Sequence, residues 1–573
     1  MAGEDKLREY LKRVTVELTD ARRRLAQAEA EDRGPEPIAV IGMACRFPGA
    51  ENVDSYWQLL SDGRSGVLDE VPDHRFDLDP WVADESVYTR RGAFLPDITG
   101  WDAKFFGSSP REAVRMDPQQ RLLMELAWEA MEDAGTPPTS LAGSRTGVLV
   151  GFSDITQYVQ LEMHRQGAAV LTDPYIGQGS SASVVAGRIA YHFDLRGPAM
   201  AVDTACSSSL VAVHLAADAL RRGECDLALA GGGFLAMLPD LYVHGCATSM
   251  LSRSGECRTF DASADGYVLG EGGGLVVLAL LSDAVRAGHR IRAVIRGSAV
   301  NQDGRTNGLT APNRSAQVDV IRRALSAARI SPEQVDYLEA HGSATPLGDQ
   351  IELSALHEVF GARSPEQPLH VGAVKTNIGH TQAAAGAAGL IKTILVLEKG
   401  VVPPNLNMTT PAEASLASDT VRPAAGTIAL PDGGRAWMAG VSSFGWSGTN
   451  AHLVLESAPA VESSPAGTEL AAELLPVSAA DAAALRAHLA RLAAGAGDSA
   501  LADLAYTLQT GRAQLDHRRA VVAADAGEAA ARLSAASDTP GVRRTEGRPR
   551  VAFLLTGADG QPGGAELYRG EPA

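Results

Sequence analysis

A layered α/β fold is what this sequence predicts, on three observations. Short apolar runs alternate with alanine-rich stretches of helical length. Glycine- and proline-rich turns separate them, and two distant stretches share one strand–turn–helix plan. The 573 residues are 45% hydrophobic and 21% charged. At about 150 residues per unit that length suggests three or four folding units. Lys and Arg number 51 against 69 Asp and Glu, a net charge of −18, which argues against nucleic acid as a partner. Five cysteines make no disulfide framework, so a reducing, cytoplasmic setting is expected. No apolar run approaches the roughly 20 residues of a membrane span. The charged N-terminus lacks a secretion signal.

The elements follow in order. Leu7, Leu11, Val14, Leu18, Ala21, Leu25 and Ala28 form an a/d seam, which predicts a parallel coiled coil over residues 1–33. An ordinary amphipathic surface helix is the plainer alternative. Gly34, Pro35 and Pro37 then cut the helix from the body. The run "IAVIGMACRFPG" reads as a buried strand and its loop, "PQQRLLMELAWEAMEDAG" as a helix stopping at Gly135, and "TGVLVG" as a second strand. The two stretches of common plan are "AMAVDTACSSSLVAVHLAADALRRG" and "LHVGAVKTNIGHTQAAAGAAGLIKTILVLEKG". Each sets a polar turn, with Cys206 or His380, between a strand and an alanine-rich helix, a hint of duplication. The body closes near residue 458, with a domain expected over 36–456. A linker rich in Ala, Pro, Ser and Glu leads into a small α/β unit, expected over 457–547. One apolar strand, "VAFLLTG", remains within 548–573.

The chemistry-bearing residues sit in the turns. Cys206 in "VDTACSSSL" stands where a helix is expected to begin, so the helix N-terminus lowers its pKa and offers N–H groups to an oxyanion. A buried structural cysteine is the alternative, and it suits Cys45, Cys225, Cys246 and Cys257. These four lack C-x-x-C spacing, and no histidine arrangement suggests a metal. His341 in "EAHGSATPLGD" and His380 in "KTNIGHTQAAAG" lie in loops after strands, from which both could reach one cysteine across the halves of a duplicated fold, with Lys375 five residues before His380. Either histidine alone suits a satisfied polar role; together they fit a nucleophile with positioned donors. "LGEGGGL" lacks the lysine of a phosphate loop. "GVSSFGWSGTN" reads as a hairpin turn, not a hydrolase elbow.

The sequence resembles the ketosynthase (β-ketoacyl synthase) domain of modular type I polyketide synthases, in the thiolase-fold superfamily. The resemblance rests on "EPIAVIGMACRFPG", "DPQQRLLMELAWEA", "GPAMAVDTACSSSL", "FDASADGYVLGEGGG", "NQDGRTNGLTAPN", "EAHGSATPLGD", "KTNIGHTQAAAG" and "GVSSFGWSGTNAHLVLE", in order over 36–456. Residues 1–33 resemble a docking coiled coil, and 470–547 the linker domain after a ketosynthase. The resemblance implies a five-layer αβαβα sandwich and a homodimer. It makes Cys206 the nucleophile that takes an acyl chain from the phosphopantetheine arm of an acyl or peptidyl carrier protein. His341 and His380 would assist decarboxylation and hold the carbonyl or enolate, and Lys375 would organise them. Ser343 and Thr345 would bind the pantetheine. The N–H groups of Cys206 and Trp446 would form the oxyanion hole, beside Phe444. No cofactor or metal of its own is implied, and neither membrane nor nucleic acid.

Three departures stand out. Ala344 occupies a position where this family uses glycine. Trp446 replaces Ile, Val or Phe, and its indole is expected to crowd the pocket beside the thiol. The acyltransferase opening is altered to "VAFLLTGADGQPGG", from which a stand-alone protein served by a carrier in trans is expected. Decarboxylative Claisen condensation with a malonyl-type thioester is the default expectation. The alternatives are a non-elongating cyclase (intramolecular aldol addition, then lactonisation), a transacylase, and an inactive docking or scaffold subunit.

Overall fold

In the computed structural model the described residues are 35–153, 156–416, 419–432, 434–460, 470–498, 500–539 and 541–543. The expected coiled coil over 1–33 and the tail over 548–573 lie outside them. They divide into two compact units, one built from the body to residue 460 and a second beginning at Leu470.

The body is organised by an eleven-stranded sheet. Its strands are β1 (Ile38–Arg46), β2 (Thr146–Gly151), β3 (Ala199–Val202), β4 (Leu227–Phe234), β5 (Gly272–Leu280), β6 (Ala293–Gln302), β7 (Tyr337–Glu339), β8 (Leu369–Gly372), β9 (Val421–Pro423), β10 (Met438–Phe444) and β11 (Thr449–Ser457). Their order across the sheet is β9-β8-β7-β10-β11-β6-β1-β5-β4-β2-β3. The outer strands run parallel, β3-β2-β4 at one end and β9-β8-β7-β10 at the other. The central pairs β4-β5, β5-β1, β1-β6, β6-β11 and β11-β10 are antiparallel. The two ends mirror each other, which is the duplication hinted at by the shared plan. β1 is buried along nearly its whole length, as an uninterrupted apolar run predicts for a strand covered on both faces.

Helices complete the layers. The outer face of one half is covered by α1 (Pro118–Asp133) and α2 (Ala182–Phe193). α1 starts where the Asp117 side chain accepts the Gln119 N–H with Pro118 in the first turn, and it buries Leu122, Leu123, Leu126, Ala127, Ala130 and Met131. Each large side chain buried this way contributes about 1.5–3 kcal/mol. Behind it, at the cap, Gly135 takes φ +65°. Between the halves lie α3 (Ser208–Arg221) and, further along, a second central helix, Ala385–Lys399. α3 packs on strands of both halves. After α4 (Asp240–Ala247), α5 (Arg314–Ala328) and α6 (Pro346–Phe360) cover the outer face of the other half. The short α7 (Lys375–Ile378) then leads to the second central helix, α8. The order helix–sheet–helix–sheet–helix is the expected αβαβα layering, with three apolar cores on its successive interfaces.

The second unit has a small antiparallel sheet of β12 (Glu473–Ala479), β13 (His517–Ala523) and β14 (Val542–Arg543). Helices α9 (Ala482–Gly495) and α10 (Ala526–Ser537) pack against it and each other. Alternate residues Leu475, Val477 and Ala479 face their core with Leu485, Leu489 and Leu533. Among the described residues no helix is long and apolar enough to cross a membrane.

Candidate active site

Cys206 stands between β3 and α3, but the α-helix does not begin at the cysteine. A single 3₁₀ turn spans Ala205–Ser207, and the α-helix starts at Ser208. The cause is Ala205, at φ +56°, whose N–H is held by the Asp203 carboxylate at 3.0 Å. Each of the three serines acts in this turn. Ser207 Oγ donates to the Thr204 carbonyl (2.9 Å), and Ser208 Oγ donates to that of Ala205 (2.6 Å) while accepting the Thr204 N–H (2.8 Å). Ser209 Oγ accepts the Ala387 N–H at 2.9 Å, tying α3 to the first turn of α8. Gly151 permits the approach of α3: a Cβ there would stand 2.3 Å from the Ser209 nitrogen.

The hairpin β10-β11 closes on the same turn. Ser443 Oγ donates to the Cys206 carbonyl at 2.8 Å, and a Cβ on Gly445 would stand 2.3 Å from the Thr204 carbonyl oxygen. The N–H groups of Cys206 itself and of Trp446, in the turn that closes on it, both draw the thiol's pKa down. Burial pushes the thiol up more strongly, and Lys375 is the foremost influence opposing it. The indole of Trp446 does not fill the space beside the thiol. It is 44% exposed and meets His244 of α4 edge-on at 5.9 Å, so it stands at the surface of the site.

His341 and His380 come together with ring centroids 5.6 Å apart, nearly perpendicular. His341 Nδ1 accepts the Phe444 N–H at 3.3 Å, and His380 Nδ1 accepts the Gln382 N–H at 3.0 Å. With Nδ1 accepting, each neutral ring carries its proton on Nε2 and is a donor there. Burial, followed by the charge of Lys375, holds both far below the ordinary histidine pKa. The rings are therefore neutral at physiological pH. Lys375 Nζ is bonded to the His341 carbonyl. Its pKa is lowered by burial against the pull of Cys206, Glu352 and Glu339.

The loop after β7 is fixed from below. Glu352 accepts the N–H groups of His341 and Gly342, each at 2.8 Å. Asp349 accepts those of Ala344 (3.0 Å) and Phe260 (2.7 Å), and burial pushes its carboxyl up to about 8. Ala344 takes φ +56°, a left-handed conformation that glycine adopts without strain. Its methyl is fully buried beside Cys257 and Val268, so it lines no open space. Ser343 and Thr345 hydroxyls are 2.9 Å apart and half-buried. Behind the loop Glu339 accepts the Val374 N–H (2.6 Å) and pairs with buried Lys392 (2.9 Å). Four non-glycine residues at positive φ, Ala205, Phe260, Ala344 and Gln382, belong to these turns. Such strain gathers where the surroundings over-determine a functional geometry. Among the described residues no His/Cys/Asp/Glu cluster suits a metal ion.

Sequence reasoning reached Cys206, His341, His380, Lys375 and the 444–446 turn. It missed Glu352, Asp349, Gln382 and Ser443, and Tyr267, whose ring meets that of His380 edge-on at 4.9 Å. The available signal was the D-x-x-E spacing of Asp349 and Glu352, which puts both carboxylates on one face of α6, toward the loop that precedes it.

Comparison with known proteins agrees with this geometry. Family models match for the beta-ketoacyl synthase N-terminal domain (residues 35–284) and C-terminal domain (292–409). Others match for a CurL-like PKS C-terminal region (473–533) and an erythronolide synthase docking domain (2–30). Similar solved structures include the ketosynthase from module 6 of the bacillaene synthase of Bacillus subtilis 168. It is 38% identical with a TM-score of 0.79, covering 88% of this chain and 85% of that one. The oxazolomycin ketosynthase domain OzmH KS7 of Streptomyces albus JA3453 is 35% identical with a TM-score of 0.81, covering 88% of each chain. The pikromycin polyketide synthase component PikAIII of Streptomyces venezuelae is 47% identical over 100% of this chain and 37% of its own length. Polyketide synthase GfsE of Streptomyces halstedii is 44% identical over 98% of this chain and 16% of its own. The chain thus spans well under half the length of these curated relatives.

Proposed function

The chain belongs to the ketosynthases of modular type I polyketide synthases, within the beta-ketoacyl synthase family, and from that premise we propose that Cys206 accepts an acyl chain and forms a carbon–carbon bond with it. The acyl group arrives as a phosphopantetheine thioester on a carrier protein. The Cys206 sulfur bonds the acyl carbon, and the pantetheine sulfur leaves and takes up the thiol's proton. The two N–H groups of Cys206 and Trp446 receive the carbonyl oxygen as it gains charge. The second reactant is a malonyl-type thioester on a carrier. Its carboxylate leaves as carbon dioxide, and the enolate oxygen is held by Nε2–H of His341 and His380. The enolate carbon attacks the acyl-cysteine carbonyl, and Cys206 departs as thiolate. The observation that carries this reading is the pairing of the His341 and His380 rings 5.6 Å apart, each Nδ1 accepting a backbone N–H, beside Lys375, which bonds the His341 carbonyl and whose charge bears on the Cys206 thiol. A homodimer, docked to an upstream synthase polypeptide through residues 2–30, is the proposed assembly, in line with the docking-domain match.

A second reading rests on Trp446. Its indole is 44% exposed and edge-on to His244, outside the space beside the thiol, which leaves room there for an acyl chain on Cys206 to fold back with no second carrier-borne reactant. The same imidazoles then promote an intramolecular aldol addition, and the new alkoxide attacks the thioester to release a lactone and the thiolate.

Intact mass spectrometry with acyl-pantetheine thioesters, with and without a malonyl-loaded carrier and beside Cys206→Ala, tests both. A Cys206 adduct that becomes a β-ketoacyl carrier two carbons longer, with loss of carbon dioxide, supports elongation. A cyclic product released without the malonyl carrier supports the second reading. No adduct across a panel of acyl chains refutes both and leaves a docking role.

A further inference from the structure

A cavity of about 450 Å³ lies in the half of the body that carries α1, and its walls share no residue with the turns around Cys206. The loop before α1, the helix Gln157–Gln166 and the segment at His74 enclose it. Ile98, Val114, Leu161 and Met237 give it apolar sides, while the guanidiniums of Arg75, Arg115, Arg121 and Arg165 line it with a single carboxylate, Glu162. Three of these arginines are paired. Arg75 grips Glu271, Arg115 bonds Glu162 at 2.7 Å and Asp173 at 3.2 Å, and Arg165 reaches the other oxygen of Glu162 at 4.0 Å. Arg121 is different. It donates to the uncharged carbonyls of Ala113 (2.8 Å), Met116 (2.6 Å) and Thr99 (3.4 Å), and its Nε–H is buried without an acceptor. The neighbouring Asp117 carboxylate accepts the backbone and side-chain N–H groups of Gln119, at 2.8 and 3.2 Å. Arg121 also stands near the start of α1, where the helix adds positive charge instead of relieving it. A surplus of positive charge thus gathers at an apolar cavity, in a chain whose net charge is −18.

We propose that this cavity binds a small amphiphilic anion, with its apolar body between Val114, Leu161 and Met237 and a carboxylate or phosphate head facing Arg121 and Arg165. An ionised oxygen is the strongest partner for a guanidinium, and the planar fork suits both kinds of head group. A neutral apolar molecule would cover the sides and leave the charge unbalanced. An inorganic anion would do the reverse. A ligand with both parts uses the whole cavity, as small-molecule sites combine apolar walls with a few placed polar groups. The inference goes beyond the proposed acyl transfer and needs no reading of Cys206.

The test is calorimetric titration of the full chain with octanoate and octyl phosphate, beside octanol and inorganic phosphate, which each carry half of the ligand. One or both octyl anions should bind saturably, and the tighter identifies the head group. Octanol and inorganic phosphate should bind at least about tenfold more weakly, the contribution of one hydrogen bond to a charged group. Arg121→Gln should weaken the octyl anion by a similar factor. Because Arg121 also holds three carbonyls, that variant can fail to fold, and two others then decide. Arg165→Ala removes a largely exposed guanidinium and should weaken binding about threefold, as exposed charges contribute less. Leu161→Trp fills the cavity and should abolish binding. An octyl anion lodged beside Cys206 instead would leave the titration unmoved by Arg165→Ala and Leu161→Trp, and that result overturns the proposal. So does the absence of saturable binding, or octanol binding as tightly as octanoate. Activity never enters the readout, so a failure of acyl transfer and a failure of this site are separately visible.

Discussion

Replacing Glu352 by alanine removes the acceptor beneath the His341 loop. Both carboxylate oxygens are used, one for the His341 N–H and one for the Gly342 N–H, at 2.8 Å each. Each buried N–H left without a partner costs about 1–3 kcal/mol, so the pair amounts to about 2–6. The alanine also relieves the burial of a carboxylate, which pushes Glu352 above its ordinary pKa, and this offsets part of the loss. We therefore expect about 2–4 kcal/mol lost from the body in urea unfolding. Glu352→Gln keeps the shape but turns an N–H₂ toward one of the two donors, so about 1–3 kcal/mol should go. The loop carries His341, so lost positioning of even about 2.7 kcal/mol would slow the carbon–carbon step about a hundredfold. Glu352 also helps to keep the Lys375 cation that opposes the rise of the Cys206 pKa, so Cys206 should alkylate more slowly than in the parent at neutral pH, by a smaller factor than the carbon–carbon step. Urea titration, single-turnover rates on the acyl-enzyme and iodoacetamide kinetics read the three quantities. An alanine variant within about 0.5 kcal/mol of the parent and unimpaired in turnover would refute the role given to the carboxylate.

Both histidines are held far below 6.5 in the folded protein, so the unfolded chain binds their protons first. Their contribution to stability is present above about pH 6.5 and lost as pH falls below it; unfolding titrations between neutral pH and about pH 5 should show proton uptake that shrinks in His341→Asn and His380→Asn, and a flat pH dependence in the parent would contradict this. Ala344 sits at φ +56° in full burial. Ala344→Gly should stay within about 1 kcal/mol of the parent, trading relieved strain against chain entropy and a lost methyl, while Ala344→Val should lose more than about 2 kcal/mol by overpacking at a forbidden φ, as read by urea unfolding. Gly445→Ala would drive a Cβ to 2.3 Å from the Thr204 oxygen, so the hairpin must lift the Trp446 N–H from the thiol; slower alkylation of Cys206 together with slower acyl loading is expected, and unchanged rates for both would show that the turn can shift elsewhere.

The elements with a single strong pattern were legible in the sequence. β1 is an unbroken apolar run and is buried on both faces; α1 has helical spacing, an acidic cap and a terminal glycine, and it starts and stops at those signals. The turn at Cys206 was legible only in part. Its serines marked a helix start, but the 3₁₀ turn depends on Asp203 holding Ala205 left-handed, a contact with no periodic signature. Glu352 and Asp349 look like ordinary acidic residues near a helix start, where the dipole favours them. Only the fold-back of the preceding loop makes them buried acceptors. Trp446 misled through its size. The hairpin turn spends its backbone on the thiol and sends its side chain toward α4, and residue volume carries no information about that direction. Tyr267 reaches the His380 ring from a segment more than a hundred residues before it, which local pattern cannot connect.

Burial is the largest influence on protonation in this site, and one buried charge comes next for the thiol and both imidazoles. Lys375 lowers the pKa of the thiol, and the same charge lowers both imidazoles. These effects serve opposite ends of the chemistry: a nucleophile needs its proton removed, whereas the imidazoles must stay neutral to keep Nδ1 accepting and Nε2 donating. A carboxylate in the same place would raise all three groups, protecting the thiol and charging the rings. Burial alone would neutralise the rings but also hold the thiol protonated. A cation is the one kind of charge that satisfies both demands. Keeping it in a buried site then requires the anionic surroundings of Glu352 and Glu339, which oppose its own loss of a proton. The carboxylates that fix the His341 loop and the Val374 N–H thereby also sustain the cation, so positioning and electrostatics in this site depend on the same residues.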